Sequence, residues 1–325
     1  MTSSDKVAPK KTILVCIAKR RIEAEGIISF ELVPLPGESL PEFEAGAHVD
    51  VHVTPEIVRQ YSICNDPAER HRYRLAVLAE PASRGGSVAI HGGFPMGAVV
   101  TIGLPRNQFR LEENAGRSIL LAGGIGITPL LAMAYRLFAL GRDLELHYCV
   151  RSEDRIAFRP ELMAGPLADF THIHRDDGPE GQRFILTRTL AKPSPDAHCY
   201  VCGPAGFIDF VMGGAERLGW PADRLHVERF NTDVEMGGDA FVLATSSGLE
   251  VEIPPDRSIA SVLQEHGIDV PLLCEQGVCG TCLTRVLEGV PDHRDLCQSD
   301  AEKESNAQIT VCCSRSKTPR LVIDI

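Results

Sequence analysis

Apolar and polar positions alternate with a period of two through the first third of the chain. Ala47-His-Val-Asp-Val-His-Val53 and Arg72-Tyr-Arg-Leu-Ala-Val-Leu78 each place every second residue on one face, and Pro and Gly turns separate such stretches. From Lys11 to about Glu113 this pattern predicts an antiparallel β-barrel. At Ser118 it gives way to a continuous apolar run, Ser118-Ile-Leu-Leu-Ala122, then a glycine-rich loop, then a helix opening at Pro129 and stopping near Gly141. Further strands are predicted at Leu144 to Val150, Thr171 to His174 and His198 to Cys202. Strands alternating with helices predict a parallel, doubly wound sheet. The pattern breaks from Glu228 to Gly238, which reads as a connector, and a small final domain begins near Ala240 with a short helix at Ile259 to His266. The expected division is 11–113 as β-barrel, 114–231 as α/β and 239–325 as α+β.

Cysteine spacing changes the picture most. Cys274-Glu-Gln-Gly-Val-Cys279-Gly-Thr-Cys282, with Cys312 further on, has the C-x4-C-x2-C plus distant Cys spacing of a plant-type [2Fe-2S] cluster. Each iron needs two thiolates, and the small residues Gly277, Gly280 and Thr281 let the loop wrap and aim N–H groups at the sulfurs. Cys279-x2-Cys282 by itself would also suit zinc, but zinc sites usually pair two such elements and no second one is expected in this chain. Cys313 competes with Cys312 as fourth ligand. Adjacent strand residues face opposite ways, and the spacing favours Cys312. The expected ligands are Cys274, Cys279, Cys282 and Cys312.

Loops after strands carry the rest. Gly123-Gly-Ile-Gly-Ile-Thr-Pro129 brings backbone N–H groups and a helix N-terminus toward an anion, with Gly124, Gly126, Ile127, Thr128 and Pro129 as lining. It is not a full G-x-G-x-x-G, and Arg151-Ser152 follows the second strand where an acidic residue would mark a dinucleotide fold. Cys202-Gly203-Pro204 is a second turn at the same sheet edge. In the barrel, Arg59 and Tyr61 share one strand face ahead of Ser62, offering a cation for phosphate and an aromatic for a planar ring. Ser83-Arg84-Gly85-Gly86-Ser87 reads as an anion nest or, in isolation, as a surface turn.

Composition then sets limits. A chain of 325 residues accommodates two or three domains. Its polar start and lack of a bilayer-length apolar run predict a cytoplasmic protein whose cysteines are thiols and metal ligands. The seven cysteines outside the ligand set, Cys16, Cys64, Cys149, Cys199, Cys202, Cys297 and Cys313, are expected to be small buried hydrophobes. A net charge of −11 without a basic stripe argues against nucleic acid. Residues 239–325 hold 14 acidic and 7 basic residues, which predicts either a basic partner surface or a solvated face. His147, His172 and His174 alternate along strands without clustered carboxylates and are expected on solvated faces. No Ser/His/Asp order demands hydrolysis.

Taken in this order, the segments resemble the phthalate dioxygenase reductase family, the one-chain reductases of Rieske-type oxygenases, over essentially the whole chain after Lys11. Pro291-Asp-His-Arg-Asp295 and Cys312-Cys-Ser-Arg315 are similar to its vanillate demethylase reductase branch. The resemblance implies a flavin barrel, a ferredoxin reductase-like NAD domain and a β-grasp ferredoxin domain. It implies FMN at Arg59, Tyr61, Ser62 and Arg84 to Ser87, NADH against Gly124 to Pro129 and Cys202 to Pro204, and Glu228 and Phe230 near the flavin. Thr128, Cys202 and Glu228 would attend electron transfer from NADH, which is expected in preference to NADPH although Arg151 could receive a 2′-phosphate. The implied partner is a terminal Rieske-type oxygenase, with no membrane involvement. A stand-alone diaphorase, a donor to a cytochrome P450 and a non-enzymatic iron-sulfur redox sensor are the alternatives.

Overall fold

A computed structural model describes residues 12–54, 57–80, 85–190, 193–230, 237–272, 277 and 280–325. The chain divides into two compact units, Met1–Phe230 and Asn231–Ile325.

The first unit begins with β1 (Thr12–Ala24), β2 (Ile27–Pro34), β3 (His48–His52), β4 (Val58–Ser62), β5 (Tyr73–Leu78), helix α1 (Gly86–Gly93) and β6 (Val99–Gly103). The strands form one antiparallel sheet in the order β4-β3-β6-β1-β2-β5. Its edges meet where Ile63 bridges Leu75 and the Cys64 N–H donates to the Arg74 carbonyl at 2.8 Å, so the sheet closes as a barrel and hides both edges. Inward positions of the alternating runs, Val49 and Val51 in β3 and Tyr73, Leu75 and Val77 in β5, meet in its core.

The unit continues with β7 (Arg117–Gly123), α2 (Ile127–Ala139), β8 (Asp143–Val150), α3 (Arg159–Ala164), β9 (Thr171–Arg175), α4 (Leu186–Thr189), β10 (Ala197–Cys202), α5 (Ala205–Arg217) and β11 (Leu225–Glu228). These five strands are parallel in the order β11-β10-β7-β8-β9. Both faces of the sheet are covered, as its apolar strands require. Leu120, Ala122, Tyr200 and Cys202 lie on the side of α2, whereas Ile119, Leu121, Cys199 and Val201 lie on the side of α5. A turn of 3₁₀ helix at Gly124–Gly126 starts α2 two residues ahead of Pro129, which still sits where no intrahelical donor is needed. The helix ends at Gly141 (φ 62°), with Arg142 N–H to Leu137 O and Gly141 N–H to Phe138 O both at 3.0 Å, a Schellman closure.

Two features differ from the sequence expectation. Glu228 ends a parallel strand paired with β10 (Cys202 opposite Glu228), so the sheet runs on into what reads as connector. Barrel and parallel sheet also share one core, in which Ala24, Ile27 and Ala76 of the barrel meet Leu130, Tyr148 and Phe158. Arg74 of β5 reinforces that junction. Its guanidinium forks onto Glu161 (2.5 and 2.9 Å) above the Phe158 ring, and Tyr135 donates to the same carboxylate at 2.6 Å.

The second unit contains β12 (Phe241–Thr245), β13 (Glu250–Ile253), α6 (Ile259–Glu265), β14 (Leu283–Glu288), β15 (Pro291–Asp292), α7 (Asp300–Ser305), β16 (Gln308–Thr310), β17 (Arg315–Ser316) and β18 (Arg320–Ile323). A mixed sheet in the order β13-β12-β18-β14-β16, with β12 parallel to β18, packs on α6 as a β-grasp. Ser258 caps α6 by accepting from the Ser261 N–H at 3.0 Å. Among the described residues no helix is long and apolar enough to cross a membrane.

Candidate cofactor and cluster sites

In the first unit β8 and β9 lie on one side of β7 and β10 on the other, so the loops leaving β7 and β10 flank the point where the strand order reverses. Ligands of open parallel sheets bind there. Both loops are built of backbone in close approach. A Cβ at Gly126 would stand 2.2 Å from the Cys202 carbonyl oxygen, and one at Gly203 would stand 2.9 Å from the Gly123 Cα. Glycine is therefore required on both sides of the contact, and the predicted convergence of Gly124–Pro129 with Cys202–Pro204 is what the structure shows. Thr128 and Cys202 are fully enclosed, and the Thr128 hydroxyl donates to Ile125 O at 3.1 Å. Ile127 is buried beneath the loop, while Arg151 is exposed and Ser152 donates to Asp154.

Glu228 joins this edge from β11. The Ser62 hydroxyl, at the end of β4, donates to its Oε2 at 3.5 Å across 166 residues of sequence. Burial pushes the Glu228 carboxyl up to about 8 against that hydrogen bond, so a neutral acid stands here at pH 7. Burial, then the Glu228 charge, raises the Cys202 thiol as well. Phe230 packs on the shared core. Ser62, Cys202, Glu228 and the Gly126 loop thus come together from four segments.

On the barrel, Tyr61 packs partly buried against the core, and burial raises its hydroxyl to about 12. Arg59 crosses α1, where a Cβ on Gly86 would lie 2.9 Å from its Cγ and 3.0 Å from its Nε. Gly85 (φ 85°) precedes that helix, whose first N–H groups have no intrahelical partner, and Ser87 is nearly buried. A guanidinium over a helix N-terminus fits the phosphate of FMN. Ser83 and Arg84 lie outside the described residues.

In the second unit, Cys282 and Cys312 are 3% and 6% exposed and belong to one core. Cys282 and Cys313 are both hydrogen-bonding neighbours of Cys312, which places three sulfurs side by side. Gly277 (φ 73°) and Gly280 (φ 69°) adopt the left-handed turn that the loop spacing demands, and a Cβ at Gly277 would come 2.6 Å from the Cys313 Sγ. This sulfur-rich donor set fits a [2Fe-2S] cluster. Cys274 and Cys279 lie outside the described residues.

Several sequence expectations need correction. Val311 to Cys313 form a turn, so opposite-facing strand positions do not decide between Cys312 and Cys313, and both are buried. Cys16, Cys149 and Cys297 are only partly buried. A second C-x2-C pair that the sequence reading passed over, Cys199 and Cys202, points to opposite faces of β10 and cannot close on one ion. His147 is enclosed, with its Nδ1 2.9 Å from His174 Nε2 and its ring stacked on His172 and His174. Its strand lies inside the sheet under Phe184, not on a solvated face. The capping box of Ser299 and Glu302 on α7, readable as S-x-x-E, was missed altogether, and Asp295, noted only as the end of the Pro291–Asp295 motif, proves to be buried.

Residues 243–317 match the 2Fe-2S iron-sulfur cluster binding domain family, and residues 120–212 match the oxidoreductase NAD-binding domain family. The chain is 48% identical to the vanillate O-demethylase oxidoreductase of Pseudomonas sp. (strain HR199 / DSM 7063), across 96% of this chain and 100% of that one. It superposes on phthalate dioxygenase reductase with a TM-score of 0.75 and 39% identity, covering 97% and 98% of the two chains. A type IV self-sufficient cytochrome P450 monooxygenase gives a TM-score of 0.80 at 34% identity, with 96% of this chain covering 41% of that one.

Proposed function

Because the chain belongs to the phthalate dioxygenase reductase family, an oxidoreductase family that carries electrons from NADH through FMN and a [2Fe-2S] cluster to an oxygenase, we propose that its own acceptor is a Rieske-type oxygenase. When bound, FMN would supply the conversion of a two-electron donor to single electrons, and the cluster would supply one-electron transfer. The residues of the chain hold, orient and insulate. Arg59 and the start of α1, with Arg84, bind the FMN phosphate, and Tyr61 and Phe230 flank the ring. The Gly126 and Cys202 loops seat the NADH pyrophosphate and nicotinamide. Thr128 and Cys202 shape a dry wall, and the neutral Glu228 carboxyl, held by Ser62, keeps a proton at that wall without adding charge to it. Cys274, Cys279, Cys282 and Cys312 carry the cluster. The functional segments divide as 11–113, 114–231 and 239–325, and the protein works in the cytoplasm.

The observation that carries the reading is the meeting of Ser62, Cys202, Glu228 and Gly126 at the strand-order reversal, in a chain that also holds the buried cysteine turn. An oxygenase as acceptor is supported by 48% identity with the vanillate O-demethylase oxidoreductase across 96% of this chain. The self-sufficient P450 likeness supports a second reading, donation to a haem oxygenase. Purified protein should show flavin absorption with an iron-sulfur shoulder and, after NADH, a rhombic EPR signal; one zinc and no iron would sink this reading. Mixing the NADH-reduced protein anaerobically with each class of oxygenase tests the partner. Fast reoxidation by the Rieske protein alone is expected, and fast reoxidation by the P450 alone would reverse the assignment.

A further inference from the structure

Beside the cysteine turn of the second unit lies a carboxylate with no task in the reading above. Asp295 is 2% exposed. Its Oδ2 accepts from the Gln298 N–H at 3.0 Å and from the Cys297 thiol at 3.4 Å. Its Oδ1 accepts from the Thr310 hydroxyl at 3.3 Å, and His293 Nδ1 stands 3.6 Å away. Thr310 Oγ1 in turn lies 3.1 Å from Cys313 Sγ and 2.7 Å from Ser314 Oγ. The neighbouring backbone reaches the other side of the site, where Leu296 N–H donates to Gly277 O at 2.9 Å and a Cβ on Gly277 would come 3.0 Å from the Asp295 Cα. Lys303 donates at 2.6 Å to the Asp295 carbonyl, and among the described residues no lysine or arginine pairs with the carboxylate itself.

A buried carboxylate without a strong counter-cation is costly, and a purely structural link to Thr310 could be made by asparagine. What asparagine lacks is the charge. The geometry points to Asp295 as the residue that keeps the cluster a strong reductant. Its carboxylate, bonded to Thr310 two residues before Cys312 and carried on backbone that meets Gly277, opposes the extra negative charge that each arriving electron brings. This rests on the [2Fe-2S] reading of the unit. The same charge acts on a neighbouring sulfur, since after burial it is Asp295 that raises the Cys297 thiol.

The test is an EPR-monitored redox titration of the full-length protein with its cofactors bound. Asp295→Asn should raise the cluster midpoint by a tenfold change in the one-electron equilibrium, about 59 mV, at unchanged iron content. Asp295→Glu should stay near the wild-type value, and NADH-to-ferricyanide turnover should be unchanged in both. An unshifted midpoint in iron-replete D295N overturns the proposal. If D295N loses iron, the Cys297 variants decide. C297S, a stronger donor to the carboxylate, should raise the midpoint and C297A should lower it, whereas shifts that are absent or of the same sign overturn the proposal. Wild-type protein without iron would overturn the cluster reading instead.

Discussion

The two units make their reactive centres by opposite means. At the strand-order reversal of the first unit, two loops press backbone on backbone, and the residues that matter most at the contact are those without a side chain: a Cβ at Gly126 would stand 2.2 Å from a carbonyl oxygen. In the second unit the proposed centre depends on side chains, the sulfurs of Cys282 and Cys312 with Cys313 beside them in one core, and Gly277 and Gly280 turn the chain around them. A site made by backbone fails through added atoms. One made of sulfur fails through a changed element at one position.

Mirror-image variants give the sharpest test. Cys282→Ser should abolish the cluster EPR signal and all partner reduction while leaving NADH-to-ferricyanide turnover intact, because that acceptor takes electrons from the flavin directly. Gly126→Val should do the reverse, cutting NADH-driven reduction by about 100-fold through a displacement near 1 Å while the signal of dithionite-reduced cluster persists. Loss of both functions in either variant would break the comparison, since the two centres would then depend on one another. Arg59→Ala comes next. Removing a charge-assisted partner of phosphate, worth about 1.5–3 kcal/mol, should weaken FMN binding roughly ten- to hundredfold, read as flavin lost on gel filtration.

A smaller effect concerns Glu228. Its folded pKa, about 8, is raised above the ordinary carboxyl value, so its contribution to stability is full below about pH 4.5 and is lost as pH rises through 8. Melting curves of E228Q and wild type should therefore separate in favour of the variant between those limits and run parallel above them. A constant difference across the range would mean that the carboxyl titrates normally. The smallest expected effect is ionic. Net negative charge is concentrated in residues 239–325, so added salt should slow electron delivery to the partner while leaving flavin reduction by NADH unchanged, given screening over about 8 Å at physiological ionic strength. A flat salt profile would reduce the acidic surface to solvation.

The same contrast explains what could be read from the sequence. Local patterns survived into the structure. The alternation of Ala47–Val53 became β3, the apolar run at Ser118 became the central β7, and the glycine loops sit where strand ends require them. Contacts that span the chain were invisible. The residue pattern gives Ser62 no sign of Glu228, 166 residues away, which only the family resemblance put with it near the flavin, and Arg74 carries no local sign of Glu161, 87 residues on. Glu228 was assigned to a connector because a four-residue edge strand is too short to show periodicity. His147 was misplaced for a related reason: alternation tells which residues share a face, not whether another element covers it. The burial of Asp295 was passed over because burial of a charge depends on the tertiary fold alone.

The core that barrel and parallel sheet hold in common also bears on how such chains can be rearranged in evolution. A break near residue 113 would strip Ala24, Ile27 and Ala76 from Leu130, Tyr148 and Phe158 and leave two halves with exposed apolar surfaces, so these portions must be inherited together. The ferredoxin portion has its own enclosed interior, with Phe241, Ile259 and Leu321 at its centre. That core draws only on residues of its own unit, which is the property a portion exchanged or moved along a gene as a cassette requires.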